Sequence, residues 1–337
     1  MPRTITLNHI TKIEGHAKLV LGIHRGKVTR CELSATEGSR YFEGLVIGRK
    51  YFEAHEVTSR ICGICSCAHV ICAIKAIEDA LGYTPTEQTV MLRALLTLGE
   101  RIRSHATHLY FLALPDYLGY ESALSMASKY RNEIKTALNL MKIGNTIIKT
   151  LGARDMHPVS TAPGGWFKLP EQQCLDEIER ELKNVKEDAL KTCKLFSSLK
   201  YPKFKTECDW LSLRHKHYPV TDGEITAQNK SYDKAHYKEF LREYHEPRST
   251  ANFVVKEDHR YMVGALARLN NNYPKLSKNA KKMLKLSGIK LPSKNPFHNN
   301  IAQAIEIVQC IDQALDICNK LVISQKGIEN TQLHFFA

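Results

Sequence analysis

The sequence lacks any apolar run of the ~18 residues that a membrane-spanning helix needs. Its opening stretch, MPRTITLNHITKIEGHAK, lacks the apolar core of a signal peptide. Both absences predict a soluble, cytoplasmic chain with no direct membrane span. Internal repeats, low-complexity tracts and clear linkers are missing too, which predicts a single domain over 1–337. Cysteine is sparse for a disulfide framework: ten residues in 337, with Cys62, Cys65, Cys67 and Cys72 crowded into one segment. The net charge is +13, yet no zinc-finger, helix-turn-helix or RNA-binding signature accompanies the dispersed lysines. The excess is therefore read as a solvated basic face or a match to an acidic partner subunit, with no nucleic acid.

What is present is a change of hydrophobic period. Residues 4–7, 17–23 and 28–36 alternate apolar and polar, with HRGKV at 24–28 as a turn, and predict a small antiparallel sheet. From Val70 onward, Val70, Ile74, Ile77 and Leu81 recur at helical spacing, with Gly82 as a C-cap. Long helices are predicted over 87–113, stopped by Pro115, and over 121–151, ending at Gly152. HPVSTAPGG at 157–165 is a loop, given its prolines and paired glycines. Residues 170–199 form a charged helix with one wet face. Residues 201–258 are polar, tyrosine-rich and dotted with Pro, Gly and Asn, and predict a β-hairpin or irregular excursion packed on the helices. Short helices follow at 259–270 and 276–287. A last helix, 298–323, carries Ile301, Ile305, Val308, Ile311, Leu315, Cys318 and Val322 on one stripe.

The fold class expected is α+β, mainly α: a central bundle of long helices, a small N-terminal antiparallel sheet, and the excursion near 201–258. Within the single domain, 1–60 would hold the sheet and the approach to the cysteine segment, 61–200 the helical core, and 259–325 the C-terminal helices.

The chemistry concentrates in RICGICSCAH, residues 60–69. Cysteines this dense point to a metal, a redox disulfide or a thiolate nucleophile. The CxxC spacing of Cys62 and Cys65 lets two thiolates converge on one metal where a loop runs into a helix. His69, four residues beyond Cys65, is placed to ligate or to orient a ligand. The helix that follows would set its positive end beside the thiolates and lower their pKa. A zinc site needs a second pair, and Cys31, Cys174, Cys193, Cys208, Cys310 and Cys318 stand singly. A thioredoxin-like pair wants alternating strands and helices, which this chain lacks. His105 and His108, three apart on an apolar helix, are read as satisfied core histidines. Cys67 and Cys72 are read as packing residues, and Cys318 as core.

Taken with its neighbours, this segment resembles the large, catalytic subunit of nickel–iron hydrogenases. The family motif RxCGxCxxxH is present as Arg60, Cys62, Gly63, Cys65 and His69. KIEGHAKL and YFEGLVIGR upstream resemble two further family segments. RSHATHLYFLALPD, HPVSTAPGG, YMVGALARLN and NNIAQAIEIV fit downstream, in order, over nearly the whole chain. The likeness is closest to the cytosolic, cofactor-coupled groups. It implies Cys62 as a terminal nickel ligand and Cys65 as the thiolate bridging nickel to an iron that carries carbon monoxide and cyanide. It implies Glu14 as the proton relay, Asp116 as a carboxylate near the active site, and His69 as the residue holding the bridging thiolate. Glu43 would serve a second buried site for magnesium or iron. His157 would face the iron–sulfur cluster of a partner small subunit. The implied reaction is reversible oxidation of hydrogen.

The family's second motif, DPCxxCxxH, has no counterpart here. No cysteine follows Cys318, and the only later histidine is His334. Only two of four nickel thiolates are then expected from this polypeptide: either a separate C-terminal polypeptide carries the other CxxC, or the chain is truncated, or the protein has left hydrogen chemistry. The alternative reading is a structural or regulatory hydrogenase-like subunit of an electron-transfer complex that completes no bimetallic centre.

Overall fold

The computed structural model describes residues 3–38 and 40–324, so His334 lies outside the described residues. The chain divides into two compact units, residues 3–49 with 236–260 and residues 50–235 with 261–324.

In the first unit, β1 (Arg3–Leu7), β2 (Ala17–His24) and β3 (Lys27–Ala35) form the expected antiparallel sheet in the order β1-β2-β3. The β2–β3 turn places Arg25 and Gly26 at φ 49° and 75°, the left-handed pair that a two-residue hairpin of native twist requires. Gly15 (φ 83°) leads the chain into β2, and any side chain there would run into the Glu37 carboxylate. α1 (Tyr41–Val46) follows and buries none of its residues.

The second unit is helical. After α2 (Ala54–Ser59) comes α3 (Ser66–Ala80), which begins four residues before its apolar periodicity and ends with Gly82 at φ 65°. α4 (Glu87–Thr107) is capped by Thr86, whose Oγ1 accepts from Thr89 N at 3.3 Å. The chain then widens into a π-helical stretch, 108–113, and continues as α5 (Leu114–Leu118). Pro115 therefore does not stop the helix as expected. It lies in the first turn of α5, where its missing N–H costs little, and Gly119 at φ 76° ends the run. The helix expected over 121–151 is two, α6 (Ala123–Met126) and α7 (Arg131–Gly152). The break follows from Ser122, whose side chain caps a new helix in a reciprocal pair with Ser125. α4 and α7 touch backbone to backbone: a Cβ on Gly144 would lie 2.7 Å from the Gly99 carbonyl oxygen. β4 (Thr161–Ala162) and β5 (Gly165–Trp166) form a minimal hairpin inside the expected loop, and α8 (Gln172–Ser198) follows.

β6 (Asp209–Arg214), β7 (Glu224–Ala227) and β8 (Lys230–Tyr232) pair antiparallel. α9 (Tyr237–Phe240), β9 (Leu241–Tyr244) and β10 (Phe253–Lys256) return to the first unit, so the 201–258 stretch is shared between the two. Hydrogen bonds explain the return: Thr250 N donates to the Ala35 carbonyl at 3.0 Å, and Ala35 N donates to Ser249 Oγ at 3.2 Å. β11 (Tyr261–Met262) pairs parallel with β6. α10 (Ala265–Asn272), α11 (Lys278–Ser287) and α12 (Asn299–Lys320) complete the second unit.

Leu95, Leu98, Ile102, Ile147, Leu182, Ile305 and Val308 are buried at the centre of that unit. The α12 stripe is buried or half-buried as expected except Val322, which is 78% exposed because the helix has already ended at Lys320. Cys67 and Cys318 are buried, but Cys72 is exposed on the wet side of α3 rather than packed. No helix among the described residues is long and apolar enough to cross a membrane. The architecture is α+β, mainly α.

Candidate metal centre

α2 ends at Ser59, and the short segment 60–65 turns the chain into α3, whose N-cap is Cys65. That turn sets the Cα atoms of Cys62 and Cys65 5.5 Å apart, with their sulfurs bonded to each other. Cys65 N also donates to Cys62 Sγ at 3.2 Å. One turn along α3, a ring nitrogen of His69 lies within 4.8 Å of both sulfurs. Among the described residues this is the only grouping of three or more His, Cys, Asp or Glu side chains able to hold one ion. Cys62 is buried, and Cys65 and His69 are half-buried. Burial lowers the His69 pKa, which favours the neutral, ligating imidazole.

Helix α4 holds this corner in place. The buried Glu100 carboxylate accepts from Cys67 N at 2.6 Å and Ala68 N at 3.1 Å, the orphan donors of the first turn of α3. One turn on, Arg103 donates from Nη2 to the Ile64 carbonyl at 2.8 Å, inside the CxxC itself. Its Nη1 donates to the Asp155 carbonyl and to Asn145 Oδ1. The expected pull of the helix end on the cysteine sulfurs is therefore shared with a carboxylate, because Glu100 is closer to those N–H groups in the fold than sequence spacing reveals. Burial pushes the pKa of Glu100 up, and that of the Cys67 thiol beside it well above the thiol range.

The loop 157–165 clamps the same segment. His157, at φ 53°, donates its N–H to Ser66 Oγ at 2.9 Å. Its Nδ1 lies 2.9 Å from the Ser59 carbonyl, which makes Nδ1 the protonated nitrogen, since a carbonyl only accepts. The loop is anchored by a buried ion pair: Arg93 Nη1 and Nη2 donate to both oxygens of Glu78 at 2.8 and 2.7 Å. Arg93 Nη2 also reaches the Ala162 carbonyl at 3.0 Å, and Gly164 N donates to Glu78 Oε1 at 2.8 Å.

The remaining residues singled out from sequence are not members of this grouping. Asp116 is exposed on α5. Glu14 is exposed in the first unit, before Gly15. Glu43 is exposed on α1, paired with Arg40 at 2.9 Å, and that hydrogen bond holds its carboxyl below the usual range. His105 and His108 are satisfied core histidines, bonded to Glu306 at 2.8 Å and Gln303 at 2.7 Å. Sequence reasoning missed Glu100, Arg103, Glu78 and Arg93. The available signal was that all four are charges on the apolar faces of α3 and α4, where an unpaired charge is too costly to keep.

A family model described as nickel-dependent hydrogenase matches residues 40–168. The alpha subunit of sulfhydrogenase 1 from Pyrococcus furiosus is 35% identical over 320 residues, covering 94% of this chain and 75% of that protein. The alpha subunit of sulfhydrogenase 2 from the same organism is 32% identical, covering 96% of this chain and 76% of that one. One subunit of the F420-non-reducing hydrogenase vhu from Methanocaldococcus jannaschii is 28% identical over 92% of this chain and 81% of its own length. Among solved structures, an NAD+-reducing [NiFe]-hydrogenase in the H2-reduced state shares the fold, with a TM-score of 0.83 at 22% identity, over 97% of this chain and 79% of that one.

Proposed function

The chain belongs to the nickel-dependent hydrogenase family, and from that premise we propose how its own residues serve the reaction. It is a catalytic-subunit polypeptide of a nickel–iron hydrogenase, the class that interconverts hydrogen with protons and electrons. The reading rests on the convergence of Cys62, Cys65 and His69 at the start of α3. Once reduced, the cysteines offer two soft thiolates, the donors such a group takes, and so fit half of a four-thiolate centre. Cys62 and Cys65 would hold the nickel and iron through their sulfurs, and His69 would hold the Cys65 thiolate in place. The other two thiolates would be supplied by a separate C-terminal polypeptide.

The bound group, with its iron carrying carbon monoxide and cyanide, supplies the site of hydrogen cleavage and the capacity to accept electrons. This chain's residues position it and move protons. Glu14 accepts a proton from a cysteine sulfur of the site and passes it outward, a task that suits a positioned carboxylate. Asp116 is a further carboxylate of the active site, and Glu43 holds magnesium or iron at a second site. The face carrying the half-buried His157 meets an iron–sulfur small subunit, which takes the electrons. Eight free thiols suit the reducing cytoplasm.

The test is to reconstitute the complex with Cys65→Ser or Glu14→Gln and to measure nickel, iron and hydrogen turnover. Cys65→Ser loses metal. Glu14→Gln keeps metal and loses turnover by roughly a hundred- to ten-thousand-fold, the usual worth of one positioned acid–base group. Full turnover in Glu14→Gln removes the relay. Stoichiometric nickel in Cys65→Ser sinks the metal assignment and favours a hydrogenase-like subunit without a bimetallic centre.

A further inference from the structure

We propose that the second unit carries a binding site for a small monocarboxylate, in the cavity that Arg101 of α4 and Arg268 of α10 line together. The cavity measures about 190 Å³, and Leu211, Pro219, Val220 and Gly264 form much of its remaining wall. No step of the hydrogenase reading uses it.

The case begins with charge. Behind the cavity, Glu306 is fully buried and its two oxygens are saturated. Arg268 donates to them from Nε and Nη2, each at 2.6 Å, Tyr218 Oη at 2.7 Å, and His105 Nε2 lies at 2.8 Å. A carboxylate accepts about four such bonds, so Glu306 has no hydrogen-bonding capacity left for Arg101, whose charge acts on it only through space and leaves two guanidiniums to one carboxylate. Burial opposes its ionisation, but the Arg268 charge and these donors hold it well below the usual carboxylate range. Burial keeps His105 neutral. Glu306 and Arg268 therefore cancel.

Arg101 is then the uncompensated charge. It is half-buried and forms no ion pair among the described residues. Its guanidinium reaches the carbonyls of Pro219 and Val220 at 3.4 and 3.3 Å, beyond the ordinary N–H···O range. It also meets the buried Cys310 thiol, whose pKa burial pushes up to about 12, so that partner brings no negative charge. A guanidinium carries five donors, so several remain to face the cavity. Arg268, whose side chain is 22% exposed, also keeps Nη1 without a hydrogen bond among the described residues. Two guanidiniums thus line one small space that carries a single net positive charge.

The ligand class follows. A cation that is partly removed from water and lacks a counter-charge is costly, and an anion relieves the cost. One net charge calls for a monoanion. Planar guanidinium forks match the two oxygens of a carboxylate. Leu211, Pro219 and Val220 offer apolar contact for a short tail. At ~30 Å³ per water-sized group the cavity holds roughly six such groups, room enough for formate, acetate or propionate.

The experiment is calorimetric titration of the full chain with sodium acetate against sodium chloride at matched ionic strength, in wild type, Arg101→Met and Arg101→Lys. Arg268 is left alone, because removing it would strand Glu306. Acetate should bind wild type saturably with one site, and Arg101→Met should abolish binding. Arg101→Lys keeps the charge but not the fork, and should weaken acetate about tenfold. Equal acetate affinity in wild type and Arg101→Met overturns the site, as does absence of saturable binding to wild type. Chloride or sulfate competing as well as propionate overturns the ligand class. If Arg101→Met does not fold, the Arg101→Lys comparison decides alone: unchanged affinity refutes the role of the fork.

Discussion

The two units treat their carboxylates in opposite ways. In the second, Glu78, Glu100 and Glu306 are buried, and each is met by donors on both of its oxygens. In the first, Glu14 and Glu43 are exposed, and Glu43 is met by one exposed arginine. A buried carboxylate with a complete donor set is a structural part, because its energy depends on neighbours already in place. An exposed one costs little to keep, because water solvates its charge whatever its neighbours do. The difference teaches which carboxylates depend on neighbours already in place, those of the second unit such as Glu100 at the start of α3, and which do not.

Breaking the comparison at its strongest point means removing Arg93. Arg93→Ala leaves Glu78 buried with no cation and releases Ala162 and Gly164. The expected loss is about 3–5 kcal/mol of unfolding free energy, read by urea denaturation. A loss below ~1 kcal/mol would show that the pair is not desolvated as the structure has it. Next comes Glu100→Ala, which orphans the N–H groups of Cys67 and Ala68 and should cost about 1–3 kcal/mol. Glu100→Gln retains an acceptor and should recover part of that. If both variants unfold with wild type, Glu100 is not what fixes the start of α3.

The finest contrast is acid titration. Glu306 and Glu43 are both held below their ordinary value of 4.5. A lowered folded pKa adds stability that is present above about pH 4.5 and lost as pH falls through the folded value. For the buried Glu306 this should steepen the acid limb of unfolding, and Glu306→Gln should flatten it. For the exposed Glu43 the screened pair should leave no mark, so Glu43→Gln should keep the wild-type midpoint throughout. A visible change in Glu43→Gln would mean that α1 is covered in solution.

Much of the helical frame was legible because apolar residues at helical spacing must share a face, as at Val70 and Ile74 or along α12. The strand alternation before residue 36 was equally plain, and so was the cysteine pair, because CxxC brings two sulfurs together locally. Errors came where local signals compete with packing. Pro115 reads as a stop, yet a π-helical stretch shifts the register so that its missing N–H falls in a first turn. Residues 236–260 read as one excursion with their predecessors, although their hydrogen-bond partners lie at Ala35, more than two hundred positions away.

By itself, then, the sequence determined what depends on neighbours along the chain: the periods, the turn at Arg25 and Gly26, and the convergence of Cys62, Cys65 and His69 across the turn into α3 and its first helical turn. Only the tertiary structure decided which distant charges meet. Glu100 and Arg103 reach the cysteine segment across some thirty-odd positions, and His105 meets Glu306 across 201. No periodicity encodes those encounters, because a buried charge is tolerated only where the fold delivers its partner, and that partner can come from anywhere in the chain.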